Sequence, residues 1–143
     1  MYVKSAQEIL SAHIREKGFR RTKQRDIILD AFLSAGGHIT AEELHARIAR
    51  KYPEIGFATV HRNLHLFCQS GIAEEIKIGN QKTRYEQKVG HDHHDHLICT
   101  RCGAFIEVSD PKIERLQERL AEAKGFTPLR HKLEIYGLCR KCK

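Results

Sequence analysis

The sequence predicts an α+β protein in which a helical N-terminal half with a β-hairpin precedes a smaller α/β C-terminal half. Three observations support this class. Apolar residues recur at helical spacing up to residue 69 and then alternate as in strands. Capping residues, Gly and Pro separate these segments. Two Cys-x-x-Cys pairs lie in the second half, where they are typical of a small fold held by a metal ion.

Length and composition set the class of protein. The chain has 143 residues, 41% apolar and 30% charged, which suits one ordinary domain or two small ones rather than a disordered chain. No apolar run approaches the ~20 residues of a membrane span, and the first residues lack the apolar stretch of a secretory signal. We therefore expect a cytoplasmic protein without membrane contact, whose paired cysteines bind metal rather than form disulfides.

Four helices are predicted in the first half, because apolar stripes at helical spacing lie between capping residues and helix-ending residues. The sets Ser5/Glu8 and Thr40/Glu43 have the spacing of capping boxes. The predicted helices run from Ser5 to Gly18, from Thr22 to Gly36, from Thr40 to before Pro53, and from about Ala58 to Gln69.

A hairpin follows the fourth helix. Ile72, Glu74, Ile76 and Ile78 share one strand face, Gly79-Asn80 is a hairpin turn, and Thr83 to Glu86 return as a second strand. Helices followed by a two-stranded wing form the winged helix-turn-helix pattern, in which the helix before the wing enters the major groove of DNA. A small helical core with an accessory hairpin is the alternative interpretation.

Positive charge is concentrated in the first half. The net charge of the chain is +7, and residues 1–88 hold 15 basic and 10 acidic residues. Six basic residues and one acid lie between Arg15 and Arg25, a surplus that suits a phosphate backbone, although a solvated helix end has the same composition. The candidate DNA contacts from this segment and the fourth helix are Arg20, Arg21, Lys23, Arg25, Thr59, His61 and Arg62.

The second half is predicted to be a separate small domain. We place the first domain at residues 1–87, a hinge at 88–90 and the second domain at 91–143. The predicted elements of the second domain are the strands Asp95–Thr100 and Ala104–Val108, the helix Pro111–Lys124 and the strand Leu129–Leu138. So small a core requires a metal ion or a partner subunit for stability.

The cysteine spacing is the most specific signal in the chain. Cys99/Cys102 and Cys139/Cys142 each follow a predicted strand, and two such knuckles together form a tetrahedral four-thiolate zinc site. A closed site of this kind is structural. Thioredoxin-type redox chemistry is the alternative for a single pair, but two pairs at strand ends disfavour it. Cys68 is interpreted as a half-buried small residue without a role.

A histidine cluster precedes the first cysteine pair. His91, His93, His94 and His96 lie within six residues, and alternation along a strand places His94 and His96 on one face and His93 and Asp95 on the other. One strand can therefore supply two metal sites. Imidazole with carboxylate suits Fe(II), Zn(II), Mn(II) or Co(II). A solvated polar linker is the alternative.

The segments GFATVHRNL, HHDHLICTRCG, IEVSD and IYGLC together resemble the ferric uptake regulator family, and the resemblance extends from about Gly18 to Cys142. It implies a homodimeric transcriptional repressor, with a tetramer also compatible. An N-terminal winged helix would bind an AT-rich inverted-repeat operator in double-stranded DNA, and a C-terminal α/β domain would dimerise. A regulatory metal would lie at the hinge between the domains.

The same resemblance implies three metal sites. The regulatory, interdomain site would use His38, Glu86, His94, His96 and Glu107. A second site in the dimerisation domain would use His93, Asp95, Glu114 and His131. The structural Zn(II) would be bound by Cys99, Cys102, Cys139 and Cys142.

Four positions are compared with the family pattern. His61 stands where the family usually has a Tyr that contacts thymine, and Asn63 is similar to the peroxide-sensing branch. Glu86 and Glu107 stand where that branch typically has Asp, which favours the iron-sensing branch. The predicted function is a repressor of iron-uptake genes that responds to Fe(II), with Mn(II), Co(II) or Zn(II) as substitutes.

The alternatives are a zinc-sensing or peroxide-sensing member of the family and, from another class, a cytosolic metal buffer or chaperone. A zinc hydrolase would need an open metal position and a general base, and the sequence contains no HExxH motif. We therefore do not expect an enzyme.

Overall fold

The computed structural model describes residues 4–77, 80–90, 95–129 and 131–143, and the chain divides into two compact units, Met1–His91 and Asp92–Lys143. The predictions for Ile78, Gly79, His91, His93 and His94 lie outside the described residues. The elements of the first unit are α1 (Ala6–Glu16), α2 (Lys23–Ala35), β1 (His38–Thr40), α3 (Ala41–Ala49), α4 (Phe57–Gln69), β2 (Ala73–Ile76) and β3 (Arg84–Gln87). Those of the second unit are β4 (Asp95–Cys99), β5 (Phe105–Val108), α5 (Pro111–Ala123) and β6 (Glu134–Gly137).

The predicted helix boundaries in the first unit are confirmed, because the local capping chemistry forms as expected. Both capping boxes are present, at the starts of α1 and α3, and the Thr22 side chain caps α2. Helix α4 begins one residue earlier than predicted, at Phe57. The helices bury a common core whose fully enclosed members include Ile28, Leu44, Val60, Leu64 and Phe67.

The sheet of the first unit corrects the predicted two-stranded hairpin. It has three strands in the order β1-β3-β2, all antiparallel. The additional strand, β1, has three residues, which follow Gly37 and end at Thr40, the N-cap of α3. So short a segment carries no periodicity, and its place depends on long-range pairing with β3. This pairing sets His38 opposite Glu86.

The second unit is a three-stranded sheet in the order β5-β4-β6, with β4 antiparallel to β5 and parallel to β6. The predicted strand Leu129–Leu138 is too long, since β6 spans only Glu134–Gly137. Residues 131–133, which the prediction includes in this strand, are not part of any strand. The placement of His131 on a strand face is therefore wrong.

Helix α5 has the predicted N-terminal chemistry but an uncovered apolar face. The Asp110 side chain accepts a hydrogen bond from the Lys112 backbone N–H at 2.8 Å. No residue of α5 is buried, and Leu116 and Leu120 are 61% and 65% exposed. The second unit thus buries little apolar surface within one chain. No helix in the described ranges is long and apolar enough to cross a membrane.

Candidate metal centres and nucleic-acid interface

The four knuckle cysteines meet at one end of the second sheet. Cys99 ends β4, and the parallel register sets it beside Gly137 of β6, two residues before Cys139. The Sγ atoms of Cys102 and Cys139 lie 3.7 Å apart, and all four sulfurs lie within 4.8 Å of one another. This donor set fits tetrahedral zinc, which four thiolates bind in closed structural sites.

The electrostatics of the cluster also favour a bound dication. Backbone N–H groups of Cys102 and Cys139 lower the pKa of Cys99 to about 6, because they donate to its thiolate. Hydrogen bonding with the sulfurs of Cys139 and Cys102 raises the pKa of Cys142 to about 12, since a fourth thiolate would face like charge. A divalent cation relieves this conflict by binding all four thiolates.

The fifth cysteine, Cys68 on α4, belongs to the first unit and is half-buried. Burial, followed by the nearby charge of Glu75, raises the pKa of its thiol to about 11. Such a thiol is almost entirely protonated at neutral pH and is a poor nucleophile and ligand. This agrees with the interpretation of Cys68 as a packing residue.

We expect Cys68 to alkylate slowly in the native protein, because only about one thiol in a thousand is ionised three pH units below its pKa. Its rate with iodoacetamide should rise about tenfold per pH unit between pH 7 and 9. Mass spectrometry of the peptide that contains Cys68 measures the rate, with glutathione as the reference thiol and urea-unfolded protein as the control. A native rate equal to the unfolded rate at pH 7 would contradict the burial argument.

Each unit presents a cross-strand pair of imidazole and carboxylate. In the first unit, β1 sets His38 opposite Glu86, and β2 sets Glu74 on the other side of Glu86. In the second unit, His96 lies opposite Glu107 and is itself buried, with 5% of its surface exposed. Directly opposed side chains share one sheet face and lie close enough to bind one ion.

Two carboxylates beside these pairs were missed by sequence reasoning. Glu74 flanks Glu86, and Glu134 flanks His96 through the parallel pairing of β4 with β6. Glu134 is already engaged by Lys132, whose Nζ lies 2.7 Å from its Oε1. Glu74 and Glu134 become neighbours of the predicted ligands through the register of the paired strands. The local sequence pattern does not reveal this register.

The structure brings together three of the four residues assigned to the second site. Ligand atoms of Asp95, Glu114 and His131 lie within 4.8 Å of one another, and Nε2 of His131 is 2.9 Å from Oε2 of Glu114. Asp95 is 1% exposed. An imidazole with two carboxylates suits a harder divalent metal than the thiolate cluster does. His93, the fourth predicted ligand, lies outside the described residues.

Four of the seven predicted DNA contacts line a groove of about 640 Å³ between the N-terminal end of α2 and one face of α4. Its lining includes Arg25 from α2 and Thr59, His61 and Arg62 from α4. The Arg62 side chain donates to Thr59 Oγ1 at 3.3 Å, and Arg21 forms a 3.3 Å ion pair with Asp26. Arg20, Arg21 and Lys23 are exposed beside the start of α2. A cationic groove beside an exposed helix face suits a nucleic-acid duplex.

Asn63 points into the first unit rather than toward the solvent. It is 7% exposed, and its Nδ2 donates to the backbone oxygen of Thr59 at 2.8 Å. The residue that is similar to the peroxide-sensing branch therefore has a packing role on α4.

The chain is similar in sequence to a known protein family. Residues 16–136 match the model of the ferric uptake regulator family. The ferric uptake regulation protein of Neisseria meningitidis serogroup A is 38% identical over 133 residues, which cover 92% of each chain. The peroxide-responsive repressor PerR of Staphylococcus epidermidis is 33% identical over 132 residues, covering 92% of this chain and 87% of that protein.

The solved structures agree with the sequence comparison. The Helicobacter pylori ferric uptake regulator, whose structure reveals three functional metal binding sites, matches with a TM-score of 0.80 and 26% identity. That match covers 99% of this chain and 97% of the other.

Proposed function

Since the chain belongs to the ferric uptake regulator family, whose members are metal-responsive transcription regulators and not enzymes, we propose that it is an Fe(II)-dependent repressor. In this proposal a homodimer in the cytoplasm binds an AT-rich inverted repeat and represses iron-uptake genes. The observation that carries the proposal is the pair of imidazole–carboxylate sets, one in each unit, on a chain that also holds a cationic groove.

The DNA-binding part of the proposal rests on the first unit. We propose that α2, α3 and α4 with the three-stranded sheet form a winged helix-turn-helix, in which α4 is the recognition helix; the order of these elements along the chain supports this. Arg62 and His61 would contact base edges or phosphates, and the basic segment before α2 would contact the backbone. His61 in place of the family Tyr changes the base contact and therefore the preferred operator.

The metal-dependent part rests on ligands from both units. We propose that His38, Glu86, His94, His96 and Glu107 bind one regulatory ion. Ligands on separate units can bind one ion only in one relative orientation of these units, so binding shifts the population toward that orientation. In a dimer this orientation would set the two recognition helices one or more DNA turns apart.

We propose Fe(II) as the regulatory metal. Imidazole and carboxylate suit Fe(II), with Mn(II), Co(II) and Zn(II) as substitutes. Glu86 and Glu107, rather than Asp, favour the iron-sensing branch over the peroxide-sensing one. A peroxide-sensing function is the second candidate, since the peroxide-responsive repressor PerR matches the chain as well as the ferric uptake regulation protein does. A zinc-sensing function is a further candidate, because Zn(II) suits the same ligand types.

The second unit is proposed to dimerise and to bind two further ions. Its uncovered apolar residues include Ile106, Leu116, Leu120, Phe126 and Leu129, each at least half exposed. Covering them in a homodimer would remove this surface from water. The knuckle cysteines would bind structural Zn(II), and Asp95, Glu114 and His131 with His93 would bind the second ion.

Operator binding with and without Fe(II) tests the function. We expect the Fe(II)-loaded chain to bind an AT-rich inverted-repeat duplex in preference to a scrambled duplex, and the metal-depleted chain to bind both weakly. Anaerobic fluorescence anisotropy measures the affinities. Equal affinity for the operator duplex and the scrambled duplex, both with and without Fe(II), would refute a metal-dependent repressor. A metal buffer, in contrast, would retain its metal binding after Arg20→Ala and Arg62→Ala and would bind neither duplex.

Replacing Arg62 by Ala should weaken operator binding and reduce its salt dependence. If Arg62 neutralises one phosphate, the slope of log K against log salt becomes shallower by about one. Anisotropy titrations at several salt concentrations measure the slope. Lys51→Ala is the matched control, because Lys51 is an exposed cation of the same unit beside the Tyr52 ring, outside the groove. An unchanged slope for Arg62→Ala would remove this residue from the interface.

A further inference from the structure

We propose that His61 and His65 on α4 form an additional, weak site for an imidazole-seeking divalent cation, and that its occupancy opposes DNA binding. The first half of this inference concerns metal binding alone. The second half rests on the proposed function of α4 as the recognition helix. Neither histidine belongs to the three metal sites described above.

The spacing of the two histidines suits chelation. Residues four apart lie on the same helix face one turn from each other, the arrangement in which paired imidazoles bind zinc on helices. His61 and His65 are both exposed and both line the groove of about 640 Å³, together with Gln69 one turn further along α4. Three ligand-bearing side chains thus follow one another along one face.

The ring of His61 is held in place before any ion binds. It stacks on Phe57 with 6.0 Å between the ring centroids and 29° between their planes. Phe57 in turn meets the ring of His45 edge-on at 5.9 Å. This stack favours one ring orientation of His61, and any such preference reduces the side-chain entropy lost when a ring nitrogen binds a cation.

The surroundings determine which cations bind and how tightly. None of the described residues that line the groove is acidic, and Arg25 and Arg62 add positive charge. The site therefore lacks the carboxylates that Fe(II) and Mn(II) prefer and depends on imidazole, which favours Ni(II), Cu(II) and Zn(II). Repulsion by the two guanidinium groups makes it weaker than the four-thiolate cluster.

Occupancy of this site would interfere with DNA in two ways. A bound cation takes the ring nitrogen of His61 that would otherwise contact a base or phosphate. It also occupies the groove face that the duplex must approach. The repressor would thus lose operator affinity only when such metals exceed the capacity of the tighter sites.

The test uses the full chain with its tight sites saturated by Zn(II), to which Ni(II) is then added. Paramagnetic broadening of the imidazole proton signals reports Ni(II) at each histidine. We expect the signals of His61 and His65 to broaden together, and the affinity of this site to fall about tenfold or more in His65→Asn and in His61→Asn. His13→Asn is the control, because His13 lies on α1 of the same unit and outside the groove.

Unchanged Ni(II) affinity in both variants, with native circular dichroism spectra, would overturn the site. Anisotropy with operator DNA then tests the antagonism, each variant being compared with itself with and without Ni(II). Wild type should lose about tenfold in affinity and His65→Asn less than about twofold. Equal losses in the two proteins would overturn the antagonism. If the wild type binds no operator DNA without Ni(II), even when Fe(II) replaces Zn(II) in the tight sites, the proposed function is refuted, while the imidazole signals still decide the site.

Discussion

Cys102→Ser is expected to release zinc and to unfold the second unit while the first unit stays folded. The second unit has a very small interior: among the described residues 95–129 and 131–143, its buried apolar side chains are Ile98 and Cys99. Structural zinc supplies about 10–16 kcal/mol in small metal-dependent folds, and so small a core cannot replace that contribution. Cys102 is the exposed member of the cluster, so its change to Ser removes a ligand with little loss of packing.

Metal analysis and hydrogen exchange measure this outcome. We expect about one zinc ion per chain in wild type, almost none in Cys102→Ser, and loss of amide protection in the second unit with protection retained in α2 and α4. Cys68→Ser is the matched control, because it removes one thiol outside the cluster and should retain the zinc. Retained zinc and retained amide protection in Cys102→Ser would show that the cluster is not a structural metal site.

Local chemistry explains why much of the chain was predictable from its sequence. The capping boxes at Ser5 and Thr40 and the two Cys-x-x-Cys pairs are patterns within three or four residues. They can therefore be recognised directly in the sequence. The knuckles follow strands that the alternating pattern also predicts. The regulatory metal site and the binding of DNA were predicted from the resemblance of longer segments to the family.

Features that depend on long-range pairing were not predictable. Strand β1 is too short to show a period, and Glu74 and Glu134 become neighbours of ligands only through strand register. The predicted strand through His131 is too long because apolar alternation in the sequence continues through residues 131–133, which are not part of a strand. Helix α5 keeps its apolar stripe although nothing in the described part of the chain buries it, which is the expected signature of a surface that another subunit covers.

His96→Ala is expected to abolish the Fe(II) dependence of operator binding. His96 is buried on β4 opposite Glu107. Loss of its imidazole should lower the metal affinity of the regulatory site by about 100-fold or more, because replacing residues that only hydrogen-bond to metal ligands already lowers metal affinity by about 10–100-fold. The measurement is the free Fe(II) concentration that gives half-maximal operator binding. Because His96 packs against the Phe105 ring at 4.6 Å, His96→Gln, which retains more of the volume, separates ligand loss from misfolding.

A double-mutant cycle tests whether the two units bind the same ion. If His38 and His96 bind one ion, His38→Ala and His96→Ala should be strongly non-additive, because the first loss already empties the site. If they bind separate ions, their effects on the half-maximal Fe(II) concentration add. The control pairs His38→Ala with His131→Ala, whose ligand cluster lies with Asp95 and Glu114 in the second unit, and this pair should be additive. Additivity for His38 and His96 as well would refute the orientation switch, since metal could then bind each unit without fixing one against the other.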